Sequence, residues 1–475
     1  MDLCSASELR EEALSPSVCD YFYACGLNQY ACSLNARVGR FRDFFFGLCP
    51  SCGAVAGLEA ARAPASGATF ASAVDLRSAT AAIAPVASTS TLSLTDTGIV
   101  RVSLRSDGVQ AGGGSIVPAL SADGRYAAFD SAATNLVPGD DNATRDVFVH
   151  DRTTGATSRV SLSSAGVAGN GDSISATMSA DGRYVAFLSR ATNLVGGDTN
   201  AVADVFVHDR QAGQTERVNV GPGGVQANRS SWPDGDVSWY ADGGLANSEV
   251  AISGDGRYVA FVSFATNLVV NDPNVVLTGV CIRDRQQAST SCIGVAKARG
   301  AEAGLFRPGV SISADGRFVA FATDGRYVAT DSNLNRDVYL HDRLSGQTTR
   351  ISVSNGGLQG DAASGWPSVS GDGRYVAFAS DASNLIAGEA NGVRYVYLYD
   401  RLANTTRRVS GARSLQPSIS SDGRFIVYST FGLVQLFDAQ SSSGRWIGAD
   451  AGGPDGFSCC PQRVRCRRNS SPTSR

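Results

Sequence analysis

Between residues 96 and 450 four kinds of hydrophobic pattern follow one another in a fixed order, and the order repeats. A segment of small residues comes first, as in Pro367-Ser-Val-Ser370. An Asp-Gly pair and an apolar run follow, as in Arg374-Tyr-Val-Ala-Phe378. A polar loop then leads to a second apolar run, such as Asp146-Val-Phe-Val-His-Asp-Arg152. The last segment, such as Ser158-Arg-Val-Ser161, alternates polar and apolar positions. Short runs bounded by turn residues predict strands, four to a unit. The two middle strands are apolar at nearly every position, so both of their faces need cover. The fourth reads as an outer edge, and the first is small enough to crowd about an axis.

The signature Ser-x-Asp-Gly-Arg-Tyr/Phe recurs at Ser121, Ser179, Ser253, Ser313, Ser370 and Ser420. Its aspartates are 50 to 74 residues apart, the spacing of a four-stranded blade. A near-copy at Asp324–Ala329 follows its neighbour too closely to begin a unit. Six blades are therefore expected, with seven as the alternative: an all-β propeller of four-stranded antiparallel sheets packed face to face. The Asp-Gly pair predicts a type I′ hairpin turn. In such a hairpin the start of the second strand lies beside the end of the third. That predicts ion pairs Arg125–Asp151, Arg183–Asp209, Arg257–Asp284, Arg317–Asp342, Arg374–Asp400 and Arg424–Asp438, one per blade. For ring closure two arrangements stay open. Gly98–Ser103 completes the last blade, or it stands beside that blade's own fourth strand at Arg445–Gly448.

Composition narrows the class. The chain has 475 residues, 43% hydrophobic and 18% charged, and a formal charge of -3. There is no basic footprint for nucleic acid and no apolar run long enough for a transmembrane helix. Residues 1–95 show no strand or helix period, and 451–475 carry Cys459, Cys460 and Cys466 among arginines. Both ends read as irregular extensions, disordered or mis-set, around a propeller at 96–450. Cys49-Pro-Ser-Cys52 has half the spacing of a zinc knuckle, with Cys19, Cys25 and Cys32 upstream but no second pair and no nearby histidine. Basic residues ahead of Phe44-Phe-Phe46 and a small-residue site at Ala71-Ser-Ala73 give a displaced likeness of a signal peptide.

The repeated units resemble the WD40-like (PD40) repeats of the TolB-type propeller family, in a variant similar to secreted bacterial propellers of that group. The resemblance covers residues 96–450 and rests on six copies of the motif. It implies a propeller fold and a periplasmic or secreted setting; the partner expected is a protein or glycan of the cell envelope, bound by a monomer with no membrane span. Some related propellers are lyases or hydrolases, which leaves an enzyme as the alternative.

Candidate chemistry lies mostly in the loops. Asp140-x-Asn142-x-x-x-Asp146, Asp198-x-Asn200-x-x-x-Asp204 and Asp331-x-Asn333-x-x-x-Asp337 bring oxygen side chains together, as a Ca²⁺ ion requires. Asx hydrogen bonds within the turn explain the same residues. Two units lose the pattern, with Asp272 and Asn274 ending at Thr278, and Glu389 and Asn391 ending at Tyr395. His150, His208 and His341 share one repeat position, which reads as structural and leaves no triad. Cys281 and Cys292 fall opposite each other on the third and fourth strands of one blade, so a disulfide is expected in an exported protein. The long insertion at 221–250 holds Trp232, Trp239 and Tyr240 with Asp234, Asp236 and Asp242, as a binding loop or as a tolerated insertion. The leading function is a non-catalytic binding or scaffold module. The alternative is a carbohydrate-active lyase or hydrolase with its site in the central channel.

Overall fold

The computed structural model describes residues 100–231, 249–269, 279–293, 309–333, 335–388, 392–430 and 433–447. They form six four-stranded antiparallel sheets arranged as a β-propeller. Blade 1 contains β1 Ser115–Leu120, β2 Tyr126–Ser131, β3 Asp146–Asp151 and β4 Thr157–Arg159. Blade 2 contains β5 Ser173–Met178, β6 Tyr184–Ser189, β7 Asp204–Asp209 and β8 Gln214–Arg217. Blade 3 contains β9 Val250–Ile252, β10 Tyr258–Ser263, β11 Gly279–Asp284 and β12 Ser289–Ile293. Blade 4 contains β13 Val310–Ile312, β14 Phe318–Thr323, β15 Asp337–Asp342 and β16 Gln347–Arg350. Blade 5 contains β17 Ser364–Val369, β18 Tyr375–Ser380, β19 Tyr395–Asp400 and β20 Thr405–Arg408. Blade 6 contains β21 Ser414–Ile419, β22 Phe425–Thr430, β23 Leu433–Asp438 and β24 Ser443–Ile447.

The second and third strands of blades 1 and 2 are buried almost throughout, while β8 and β12 alternate exposed and covered positions. First strands of successive blades touch one another, which places them nearest the axis. Apolar cores form between blades. Ala119, Val147 and Val149 of blade 1 meet Met178, Val185 and Phe187 of blade 2, and the same arrangement recurs at four further junctions. Within blades, Phe129–Phe148 and Phe187–Phe206 stack at 6.0 Å, and Phe321–Tyr339 and Phe378–Tyr397 at 5.6 Å.

The Asp-Gly turns differ from the expected type I′. Gly124, Gly182, Gly256, Gly316, Gly373 and Gly423 have positive φ, but none of the preceding aspartates does. The turn closes instead by Gly124 N–H donating to the Ser121 carbonyl, and likewise in every blade. Ser121 Oγ donates to Asp123 and accepts from Tyr126 N–H, while Asp123 accepts from Arg125 N–H. The signature serine and aspartate thus build the turn together, and only the glycine needs left-handed backbone.

The turn tips also link the blades. Ala122 N–H donates to Ala180 O, Ala180 to Gly254, Gly254 to Ala314, Ala314 to Gly371 and Gly371 to Ser421. Among the described residues no such bond joins Ser421 to Ala122. Blade 6 takes its fourth strand from its own chain segment, β24, whose Ile447 pairs with Val434. Residues 100–104 form no strand and lead into a turn bridged at Leu104 and Gln110, matched at Leu162–Ala168, Val220–Gln226 and Val353–Gln359. The near-copy at Asp324 is a loop, and its Tyr327 packs against Phe321 at 4.9 Å and Tyr339 at 5.3 Å.

Candidate functional site

The six arginine–aspartate positions meet in every blade. Arg125–Asp151 is at 2.8 Å, Arg183–Asp209 at 2.7 Å and Arg257–Asp284 at 2.7 Å. Arg317–Asp342 and Arg374–Asp400 are both at 2.8 Å, and Arg424–Asp438 is at 2.9 Å. Each pairing uses Nε and Nη2, the bidentate geometry of guanidinium and carboxylate. The arginine holds its aspartate below the usual carboxylate range, with the turn N–H groups adding to the effect. A second arginine, one residue past the aspartate, crosses to the preceding blade. Arg210 lies 4.3 Å from the ring of Tyr126, Arg285 4.4 Å from Tyr184, Arg343 3.8 Å from Tyr258 and Arg401 4.2 Å from Phe318. These residues are scaffold.

The Asp-x-Asn loops are organised around an arginine that sequence reasoning missed. Arg159 Nη1 lies 3.1 Å from Asp140 and 3.0 Å from Asp146. Arg217 stands 3.2 Å from Asp198 and 3.1 Å from Asp204, and Arg350 stands 3.4 Å from Asp331 and 3.5 Å from Asp337. Asn142 accepts from Thr144 N–H and donates to Asp146 and to the Gly169 carbonyl. Asn200 and Asn333 make the same Asx turn. A guanidinium therefore lies between the two carboxylates of each loop, and the hydrogen bonds are those of the turn reading. Among the described residues no group of three or more His, Cys, Asp or Glu side chains gathers. In blade 3 the residue equivalent to Asp204 is Gly279, not Thr278, because β11 starts one residue later and Gly279 pairs with Ser263 as Asp204 pairs with Ser189. In blade 5 Tyr395 takes the acid position, under Arg408 at 4.9 Å.

The histidines are fasteners. His150 and His208 bond Thr157 and Thr215 at 2.8 Å, and His341 bonds Thr348 at 2.9 Å. Thr157 and Thr215 donate onward to Leu104 O and Leu162 O in the preceding inter-blade turns. Burial lowers all three imidazole pKa values. Cys281 and Cys292 are directly paired and disulfide-bonded. Trp232, Trp239, Tyr240 and their neighbouring aspartates, the cysteine-rich ends, Asp272, Asn274, Glu389 and Asn391 lie outside the described residues.

What the blades do not share lies on the first strands. In blades 1, 2, 5 and 6 the first strand is bulged, with register shifts at Ile116/Ala119, Ile174/Thr177, Gly365/Ser368 and Leu415/Ser418. At the bulge Val117, Ser175, Trp366 and Gln416 adopt φ of 50°, 57°, 52° and 49°. These are left-handed values for residues with a Cβ, one of them β-branched. The sequence positions equivalent to them in blades 3 and 4 are Glu249 and Gly309. Six blades thus carry six different residues there. The Trp366 ring lies under Arg394 at 4.8 Å, and its buried Nε1 has no hydrogen-bond partner.

Two unrepeated carboxyls accompany this level. Asp130 of β2 is fully buried, bonds Arg145 at 2.9 Å, and burial pushes its pKa up to about 7. Glu249 has a buried Oε2 with no partner, and burial alone pushes its pKa up to about 8. The sequence signal for this level was available. Ser-x-x-Pro-x-x-Ser recurs at 115–121, 364–370 and 414–420 with a different third residue each time.

No protein family and no curated protein matches this sequence. Solved structures similar to it include TolB from Acinetobacter baumannii, at 15% identity and TM-score 0.37, covering 63% of this chain and 58% of that one. An oligogalacturonate lyase in complex with manganese matches at 11% identity and TM-score 0.43, covering 69% and 74%. An acylaminoacyl peptidase matches at 13% identity and TM-score 0.41, covering 70% and 46%. The chain therefore spans less than two thirds of the TolB chain it matches. These neighbours differ from one another in what their names say they do.

Proposed function

We propose that this chain is a non-catalytic binding module of the cell envelope or exterior, a rigid propeller that takes a protein or glycan on the axial surface of its first strands. One observation carries the reading. The signature turn and its arginine–aspartate pair recur in all six blades, whereas the first-strand bulge position carries six different residues, four of them in strained left-handed backbone. Bulges and strained residues cluster where a fold re-aims side chains for function. The disulfide in blade 3 supports an oxidising compartment.

The test uses the immobilised full chain against a panel of envelope polysaccharides and an envelope extract. Wild type is expected to retain a ligand without consuming it, and Trp366→Ala with Gln416→Ala is expected to release it by about tenfold or more. Retention unchanged by those substitutions would move the site elsewhere. A second reading, a lyase or hydrolase, is favoured by Asp130 and Glu249, because carboxyls tuned toward neutral pH suit general acid–base work. Turnover on the polysaccharide panel that Asp130→Asn or Glu249→Gln abolishes would replace the first reading with the second.

A further inference from the structure

Three of the six blades fasten the start of the third strand to the end of the fourth in one way. In blades 1, 2 and 4 Arg159, Arg217 and Arg350, each largely covered, reach Asp146, Asp204 and Asp337. Blade 5 keeps the cation as Arg408 and sets it over Tyr395. Blade 3 has neither partner. Gly279 stands at the acid position, and Cys292 replaces the arginine. Cys281 stands where Phe206 faces Arg217 in blade 2, and it is bonded to Cys292.

We propose that the Cys281–Cys292 disulfide is a redox-sensitive substitute for the ionic clamp, so that a dithiol opens the outer edge of blade 3 and leaves the clamped blades intact. Cys292 is half-buried on the outer strand β12, whereas Cys281 is buried, so the outer sulfur is the one a thiolate reaches. The attack forms a mixed disulfide at Cys292 and releases Cys281 as a thiol. The second thiol of the reagent then closes its own cyclic disulfide and releases Cys292. Two electrons and two protons pass from the dithiol to the two cysteines. What remains between β11 and β12 is the backbone ladder from Val280–Ile293 to Asp284–Ser289 and the Arg283–Thr290 side-chain bond, and among the described residues no side-chain clamp stands at the Ile293 end.

The experiment follows amide hydrogen exchange across the full chain with and without dithiothreitol. In wild type, reduction is expected to speed exchange in residues 279–293 by about tenfold or more, while the corresponding strands of blades 2 and 4 stay unchanged. A triple variant, Gly279→Asp with Cys281→Phe and Cys292→Arg, rebuilds the clamp of blade 2 and keeps the other nine of the 11 cysteines. It is expected to ignore the reductant. Should the triple variant fail to fold, Cys281→Ser with Cys292→Ser is expected to exchange fast at 279–293 in either redox state. Unchanged exchange in reduced wild type, an equal response in the folded triple variant, or full protection in the double serine variant would each overturn the proposal.

Discussion

At the scale of single residues, burial decides which of the many charges matter. Arg125 and its five counterparts are bidentate but lie at a wet turn, with the Arg125 side chain 41% exposed. Exposed pairs are screened by solvent and contribute little, so Arg125→Ala is expected to shift the urea midpoint only slightly. Arg159 is 9% exposed and stands between two buried carboxylates. Removing it takes away the cation that lies between these two carboxylates, and Arg159→Ala is expected to cost about 3–5 kcal/mol. Equal losses in the two variants would refute this ranking. Glu249 gives a pH signature of its own. Its pKa is raised from 4.5 to about 8 in the folded chain, so the folded state holds a proton that the unfolded state has lost between those values. Stability from this group is fully present below about pH 4.5 and declines as pH rises toward 8. Glu249→Gln is therefore expected to match wild type in melting temperature at pH 4.5 and to exceed it at pH 8. A constant difference across that range would show that Glu249 does not titrate as a buried acid.

At the scale of the element, the hairpin turn does two jobs, and the sequence announced only one. Asp-Gly signals a turn, and Gly256 does adopt φ of 73°. The same glycine lies so close to the preceding blade that a Cβ would collide with the Tyr184 ring. Gly256→Ala is expected to cost about 2–3 kcal/mol, from left-handed strain plus displacement of that ring. Gly155→Ala, at φ of 76° with open space around it, is expected to cost about 1–2 kcal/mol from strain alone. Urea midpoints of the two variants measure the contact. Strand order, blade number and the arginine–aspartate pairing were legible because period, turn residues and hairpin geometry are local. Arg159 as the occupant of the Asp-x-Asn loop was not, since its sequence position marks only a fourth strand and its reach across the hairpin depends on packing. Nor was the bulge visible from periodicity, because Val117 and Ser175 look like ordinary strand residues until register shifts around them. With a guanidinium lying between the loop carboxylates, EDTA is expected to leave the melting temperature unchanged. A fall of several degrees, restored by Ca²⁺, would return the loops to the calcium reading.

At the scale of the whole molecule, cohesion is a sum of blade junctions, and the junctions are not equal. Five turn-to-turn bonds run from Ala122 to Ser421, each junction backed by an apolar core drawn from both blades. At the sixth, the blade 1 cluster around Phe129 and Phe148 and the blade 6 cluster around Phe425 and Leu436 are separate among the described residues. In an array of repeats, stability is approximately the sum of each unit and its neighbour contacts, so the two blades at the seam have one shared core each where the others have two. Opening should begin there. Hydrogen exchange is expected to be slowest in β6, β10, β14 and β18, the second strands of blades flanked on both sides. It is expected to be faster in β2 and β22, although these too are largely buried and paired to a strand on each side, with the same first-strand bulge that β6 and β18 face. The sharpest comparison is with β6 and β18, whose first-strand partners carry the same bulge, leaving the number of flanking blades as the main variable. Equal protection in all six second strands would mean that blade 1 and blade 6 are joined as firmly as any other pair.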